Sequence, residues 1–184
     1  LVLCDADDPE TMNRPDAPDP SAWSIHSALH RKLPQARAAL HIHPPHATAL
    51  AGLADPTIKP IDQVTARFYN RTAYDMAFGG IATAEEEGER IADAIGDKKT
   101  VMMQNHGVTT LGETVAEAWD ALYHLERAAR TMVLAYSTGQ DLAVMGDNLA
   151  EETAMEWQID RDQQLTHFNE MKRILDKEEP DYKD

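Results

Sequence analysis

The chain has 184 residues, 42% of them hydrophobic and 27% charged, which is enough for one ordinary buried core and predicts a single domain. A formal charge of −15 with no Lys/Arg-rich run argues against nucleic acid or a membrane surface as partner, because both are polyanionic. No apolar stretch approaches the roughly 18 residues of a membrane-spanning helix, the opening residues lack a basic-then-apolar leader pattern, and the lone Cys4 excludes a disulfide within the chain, so a cytoplasmic protein is expected.

Leu1-Val2-Leu3-Cys4-Asp5 reads as the interior of a buried strand, from which we expect further residues upstream. Residues 6–20, rich in Asp and Pro, read as a loop. Ser21 is the expected N-cap of a helix carrying Trp23, Ile25, His26 and Leu29, ended by Pro34. Ala38 to His43 reads as a short strand running into Pro44-Pro45, followed by a brief helix from Ala47 to Leu53. Ile61 to Tyr69 suggests a turn of helix, Arg71 to Asp75 an edge strand, and Phe78-Gly79-Gly80 a turn. Glu85 to Ile95 is an amphipathic helix stopped by Gly96-Asp97. Thr100 to Gln104 is a buried strand broken by Asn105-His106-Gly107, and Val108 to Leu111 resumes extended structure.

Between Gly112 and Thr138 lies the clearest helix, in which Val115, Ala118, Trp119, Leu122, Leu125, Ala129 and Val133 recur at steps of three and four, and Gly139 stops it. A second long helix is expected from Glu151 to Glu178, with Ile159, Phe168 and Leu175 among its few apolar contacts. It belongs to a C-terminal helix and tail over 151–184, whose last residues, Asp181-Tyr182-Lys183-Asp184, read as native sequence rather than a tag. Strands interleaved with helices predict an α/β layered domain.

His41 and His43 stand one residue apart in a predicted strand, and a period of two puts both imidazoles on one face. Two neutral imidazoles side by side can chelate a divalent cation, with a third ligand completing an open site. Taken alone, His-x-His is a weak signal, since such histidines are usually packed or solvated. His106 strengthens it, because strand ends followed by Gly turns are where α/β folds present side chains to ligands.

The stretch His41-Ile42-His43-Pro44-Pro45-His46-Ala47-Thr48-Ala49-Leu50 resembles the metal-binding segment of the class II aldolase/adducin family. Gln104-Asn105-His106-Gly107-Val108, Gly112-x-Thr114-x-x-Glu117-Ala118 and Leu125-Glu126-Arg127-Ala128 are similar to its second signature, and Ser21-Ala22-Trp23 with His26 and His30 lines up with the helix before the metal strand. The resemblance covers roughly residues 1–140. It implies a three-layer α/β/α fold around a central mixed, largely antiparallel sheet. It also implies one divalent metal ion on His41, His43 and His106: zinc first, with manganese, iron or cobalt as alternatives. Further implications are a small-molecule substrate, a homo-oligomer (a tetramer with sites at subunit boundaries), and cleavage of a carbon–carbon bond beside a carbonyl whose oxygen the metal polarises.

The resemblance breaks at Ala22, where the family's aldolases carry a glutamate that shuttles protons; a methyl group accepts none. Pro20 replaces an expected phosphate-binding serine, leaving Ser21 beside Ala22 as the substrate-binding remnant. His46 is a candidate catalytic base, or an exposed loop histidine. Tyr123, next to His124, is a candidate catalytic group acting from a neighbouring subunit, or a core aromatic. Arg67, Tyr69, Arg71 and Tyr74 form a basic-aromatic cluster suited to a carboxylate substrate, or to pairing with surface acids. His26 and His30 read as packed rather than ligating. Three functions follow: a metal-dependent aldolase or decarboxylase acting on a small hydroxy- or oxo-acid or a sugar-derived substrate, a metal-dependent epimerase or oxygenase, and a non-catalytic adducin-like interaction domain.

Overall fold

The computed structural model describes residues 2–80, 85–159 and 161–183. Four strands, β1 (Ala38–Ile42), β2 (Thr72–Asp75), β3 (Thr100–Met103) and β4 (Val108–Gly112), form one sheet in the order β1-β4-β3-β2. The β1–β4 and β3–β4 pairs are antiparallel and β2–β3 is parallel, so the sheet is mixed, as the family resemblance implies, with β2 at the edge that its sequence suggests. Among the described residues there are seven helices: α1 (Pro20–Lys32), α2 (Pro45–Ala51), α3 (Gln63–Ala66), α4 (Glu85–Ile95), α5 (Val115–Ser137), α6 (Asp147–Glu156) and α7 (Arg161–Glu178).

Alternation along the strands sorts their side chains into two cores. Val101, Met103 and Leu111 pack with Ile25 and Leu29 of α1 and with Ile91 and Ile95 of α4. Met102 and Val108 pack on the other face with Leu50 of α2 and with Leu122, Leu125 and Met132 of α5. Each such side chain contributes roughly 1.5–3 kcal/mol on full burial. Because β3 is covered on both faces, its run is apolar throughout rather than alternating. The helices therefore form two layers about the sheet, α1 and α4 on one side and α2 and α5 on the other. At the α1–α4 crossing a Cβ on Gly88 would overlap the backbone carbonyl of Ser24, so the close approach requires glycine.

Several local expectations are corrected. Residues 2–5 form no strand, with Val2 and Leu3 51% and 89% exposed; Leu1 lies outside the described residues. The 6–20 loop contains a short 3-10 turn, Pro9–Asn13. The cap of α1 is Asp19, not Ser21: its Oδ1 accepts the N–H groups of Ser21 and Ala22 at 2.9 and 3.4 Å. A carboxylate there also meets the positive helix end, and Pro20 fits the first helical position. The long central helix starts after the cap Thr114, Gly112 belongs to β4, and Val115 is 54% exposed rather than part of the apolar stripe. Gly96 and Gly139 follow α4 and α5 with positive φ, as expected of helix stops. The helix expected over 151–178 is instead α6 and α7. Trp157 ends α6 with its indole N–H donating to the Gln63 carbonyl at 2.9 Å, which turns the chain towards α3 and leaves Ile159 81% exposed. Residues 180–183 form a further 3-10 turn, and Asp184 lies outside the described residues.

Candidate metal centre

The C-terminal ends of β1, β2 and β3 lie at one end of the sheet, where the β3–β4 hairpin turns. His41 is paired with Thr109 across β1–β4, His43 follows β1, and His106 sits in the hairpin. The turn is tight: Met103 N–H donates to Gly107 O at 2.9 Å and His106 N–H to Met103 O at 3.2 Å. Asn105 adopts a left-handed φ of 57°, tolerable for Asn. Two more bonds fix the hairpin, from Gln104 N–H to Asp75 O in β2 and from Asn105 N–H to Ala51 O in α2. Gly107 passes so close to the His43 ring and the Ile42 carbonyl that any Cβ would overlap both.

The three rings converge. Centroids are 5.1 Å apart for His41–His43, 4.9 Å for His41–His106 and 4.8 Å for His43–His106, with ring planes at 77°, 68° and 67°. One nitrogen from each ring lies within 4.8 Å of the others, and the Nε2 atoms of His41 and His43 are 3.2 Å apart. His41 Nδ1 lies 3.0 Å from the Val108 carbonyl and 3.2 Å from Thr109 Oγ1. A carbonyl only accepts, so Nδ1 carries the proton and Nε2 turns a lone pair to the centre. Burial, reinforced by His106 and His43, pushes the His41 pKa down to about 4. Burial, then His43, also lowers that of His106. Imidazole nitrogens aimed at one another suit a shared cation, and metal–nitrogen bonds of 2.0–2.1 Å place tetrahedral ligands about 3.3 Å apart. The His41–His43 spacing fits that value.

The surroundings include groups that the sequence did not single out. Buried Asp75 accepts from Arg90 Nη1 at 2.5 Å, and Glu87 accepts from Arg90 Nε and Nη2 at 2.8 and 2.6 Å. The hydrogen bond from Arg90 holds the Glu87 carboxyl below its ordinary range, and all three charges are felt at His106. Phe78 lies 6.2 Å from His106, ring to ring, and is half exposed. Ala22 sits one turn before His26 on α1, and the His26 charge reaches His41.

His46 opens the N-terminal turn of α2 with Nδ1 2.6 Å from Glu126 Oε1. Glu126, on α5, also accepts the backbone N–H groups of His46 and Ala47 at 3.0 and 2.9 Å. It thereby caps a helix whose own cap residue, Pro44, makes no side-chain bond. The remaining candidates lie elsewhere within one chain. Arg67 and Tyr69 precede β2, at the opposite end of the sheet. Arg67 donates to Asp120 Oδ2 at 2.8 Å, the Tyr69 hydroxyl donates to Asp147, Arg71 pairs with Glu151, and the Tyr74 hydroxyl accepts the Ile58 N–H. Tyr123 packs against Trp119, His124 and His167 between α5 and α7. The Ser21 hydroxyl donates to Asp19 at 2.5 Å. His26 and His30 rings are 6.1 Å apart, and His30 Nδ1 lies 2.6 Å from Ala36 O, a packing arrangement.

This geometry coincides with a family match: the sequence pattern of the class II aldolase and adducin N-terminal domain matches residues 1–133. The chain belongs to the class II aldolase and adducin family. Among the family's members, the decarboxylase NovR of Streptomyces niveus is 31% identical over 120 residues, covering 65% of this chain and 44% of NovR. The 4-hydroxy-3-prenylphenylpyruvate oxygenase/4-hydroxy-3-prenylbenzoate synthase of Streptomyces roseochromogenus is 30% identical, covering 65% and 43%. The chain thus spans less than half the length of these curated relatives. The crystal structure of an aldolase II superfamily protein from Pseudomonas syringae superposes with a TM-score of 0.81 at 29% identity, covering 89% of this chain and 66% of that one.

Proposed function

We propose that this class II aldolase-family chain belongs to a divalent-metal-dependent lyase, an aldolase or decarboxylase acting on a small hydroxy- or oxo-acid or a sugar-derived substrate. The observation that carries the reading is the convergence of one nitrogen each from His41, His43 and His106, with the His41 lone pair aimed inward. These residues are the ligands, and zinc is the favoured ion, with manganese, iron or cobalt able to occupy the same nitrogen set. When bound, the metal supplies a Lewis acid for a substrate carbonyl oxygen.

The chain's own residues do the rest. His41 keeps its tautomer through the Val108 carbonyl, and Gly107 leaves the space in which the His43 ring is held. His46, whose Nδ1 is held 2.6 Å from Glu126 Oε1, is the candidate acid–base group. Ala22 offers no base, which favours decarboxylation, a reaction needing an electron sink more than a strong base. The name of NovR agrees with that choice. Ser21 and Ala22 remain the substrate-binding candidates on α1, whereas Arg67 and Tyr69 follow their other reading, pairing with Asp120 and Asp147; we favour a homotetramer in which a neighbour contributes Tyr123. The oxygenase name of the S. roseochromogenus relative favours one alternative, iron-dependent oxygen chemistry.

Protein purified without added metal is expected to hold about one ion at this triad, lost in His43→Ala. Screening oxo- and hydroxy-acids for carbon dioxide, aldehyde or oxygen uptake separates decarboxylase, aldolase and oxygenase. A folded protein with no affinity for metal at His41, His43 and His106 overturns the reading and leaves the adducin-like interaction domain.

A further inference from the structure

At the other end of the sheet, beside the Gly112 end of β4, a second group of potential ligands gathers where α5 meets α7. Asp120 is buried on α5, His124 lies one turn later, and His167 comes from α7. Asp120 Oδ1 faces both imidazoles, 2.8 Å from His167 Nδ1 and 3.4 Å from His124 Nδ1. One ligand atom from each residue lies within 4.8 Å of the other two. We propose that Asp120, His124 and His167 form a second site for a divalent transition-metal ion, separate from the histidine triad and independent of what the triad does.

Three features support it. First, the spacing fits: bonds of 2.0–2.2 Å to nitrogen and oxygen put neighbouring tetrahedral ligands about 3.3 Å apart, between the two distances observed. Second, the carboxylate is already oriented from behind. Arg67 donates to Oδ2 at 2.8 Å while its guanidinium lies 5.0 Å from the Trp157 ring centroid, so Oδ1 stays turned to the imidazoles. A ligating carboxylate steadied by an outer hydrogen bond is a common device of metal sites. Third, loading the site orphans no buried group. His124 Nδ1 lies 2.9 Å from the Asp120 backbone carbonyl, but that carbonyl also accepts within the α5 ladder. An imidazole that gives its Nδ1 lone pair to a metal can carry its N–H on Nε2 instead.

The ligand set, two imidazoles and one carboxylate, suits zinc, cobalt or ferrous iron and leaves coordination positions open. His124, His167 and Asp120 border a cavity of about 730 Å³ that Gln63, Tyr123, Arg127, Glu156 and Trp157 also line. Water or a small ligand can therefore complete the coordination. Arg67 opposes the cation electrostatically, so the site favours an ion that bonds imidazole firmly over calcium or magnesium.

The test is a cobalt titration of chelator-stripped protein, read by visible d–d absorption and calorimetric stoichiometry, with circular dichroism confirming the fold of each variant. The whole chain is expected to bind two equivalents. His41→Ala/His43→Ala is expected to keep one, and His167→Gln, which retains an N–H donor for Asp120, is expected to lose one. If the whole chain binds a single ion that His167→Gln alone abolishes, the second site stands and the triad reading fails. Binding of one equivalent that disappears in His41→Ala/His43→Ala, or two equivalents undiminished in both His167→Gln and His124→Gln, overturns the proposal.

Discussion

Replacing Asp120 with alanine tests how the α5–α7 face is held. The Asp120 and Arg67 side chains are only 5% and 10% exposed, and the carboxylate receives Arg67 on one oxygen and His167 on the other. Alanine leaves a buried guanidinium with no counter-charge and removes the acceptor that ties α7 to α5. Breaking one partner of a buried pair costs about 3–5 kcal/mol. At roughly 2–4 °C per kcal/mol for a chain of this size, Tm should fall by about 6–20 °C. Replacing both partners with apolar residues, Arg67→Met with Asp120→Leu, removes the stranded charge and should recover most of that loss. Urea and thermal melts with chelator present, so that no ion contributes, measure all three proteins. The reasoning is refuted if Asp120→Ala costs less than about 1 kcal/mol, or if the double variant is no more stable than the single one.

The same carboxylate predicts an acid transition. Burial pushes the Asp120 pKa up, but His124, His167 and Arg67 together bring it well below the ordinary carboxylate value. Its contribution is therefore full above the unfolded value near 3.9 and lost as pH falls through the lower folded one; acid melts of Asp120→Asn should show a shallower pH slope there, and equal slopes would contradict this. Gly107→Ala should cost roughly 1–3 kcal/mol, because its Cβ overlaps the His43 ring and Ile42 carbonyl, and should weaken metal binding about tenfold or more; unchanged melts and titrations would show that the contact yields. Glu126→Ala, which uncaps α2 and frees His46, should lower stability by about 1–2 kcal/mol and shift the pH profile of any turnover, whereas Glu126→Gln should keep much of the cap; kinetics and urea melts read both.

What the sequence made legible was local. A two-residue period places the rings of His41 and His43 together, and an apolar run ending in Asn105-His106-Gly107 marks a turn between two extended segments, which the structure pairs as a hairpin. Helix α5 was visible for the same reason, as a stripe repeating over many turns, although exposed Val115 shows that such a stripe does not fix its own first residue. The sequence points to Ser21 as the cap of α1, two residues past Asp19, because both residues satisfy the cap preference and only the backbone geometry decides between them.

The rest depends on side chains brought together across long stretches of chain. Glu126 reaches His46 across 80 residues, and Asp120 reaches His167 across 47. No periodicity joins such pairs: an aspartate within a helix pattern reads as its solvated face, yet Asp120 is buried because Arg67 and two histidines compensate its charge. Likewise, Arg67, Tyr69 and Arg71 look like a substrate-binding cluster in sequence, but α5 and α6 present Asp120, Asp147 and Glu151 to them, and each cation or hydroxyl is taken up there. The two ends of the sheet therefore differ in kind. At the hairpin end the imidazole nitrogens face one another with no carboxylate among them from the described residues, which leaves their lone pairs for an external cation. At the α5–α7 end a carboxylate already satisfies its neighbours, so a metal there must displace hydrogen bonds that exist, and its affinity should be the lower of the two.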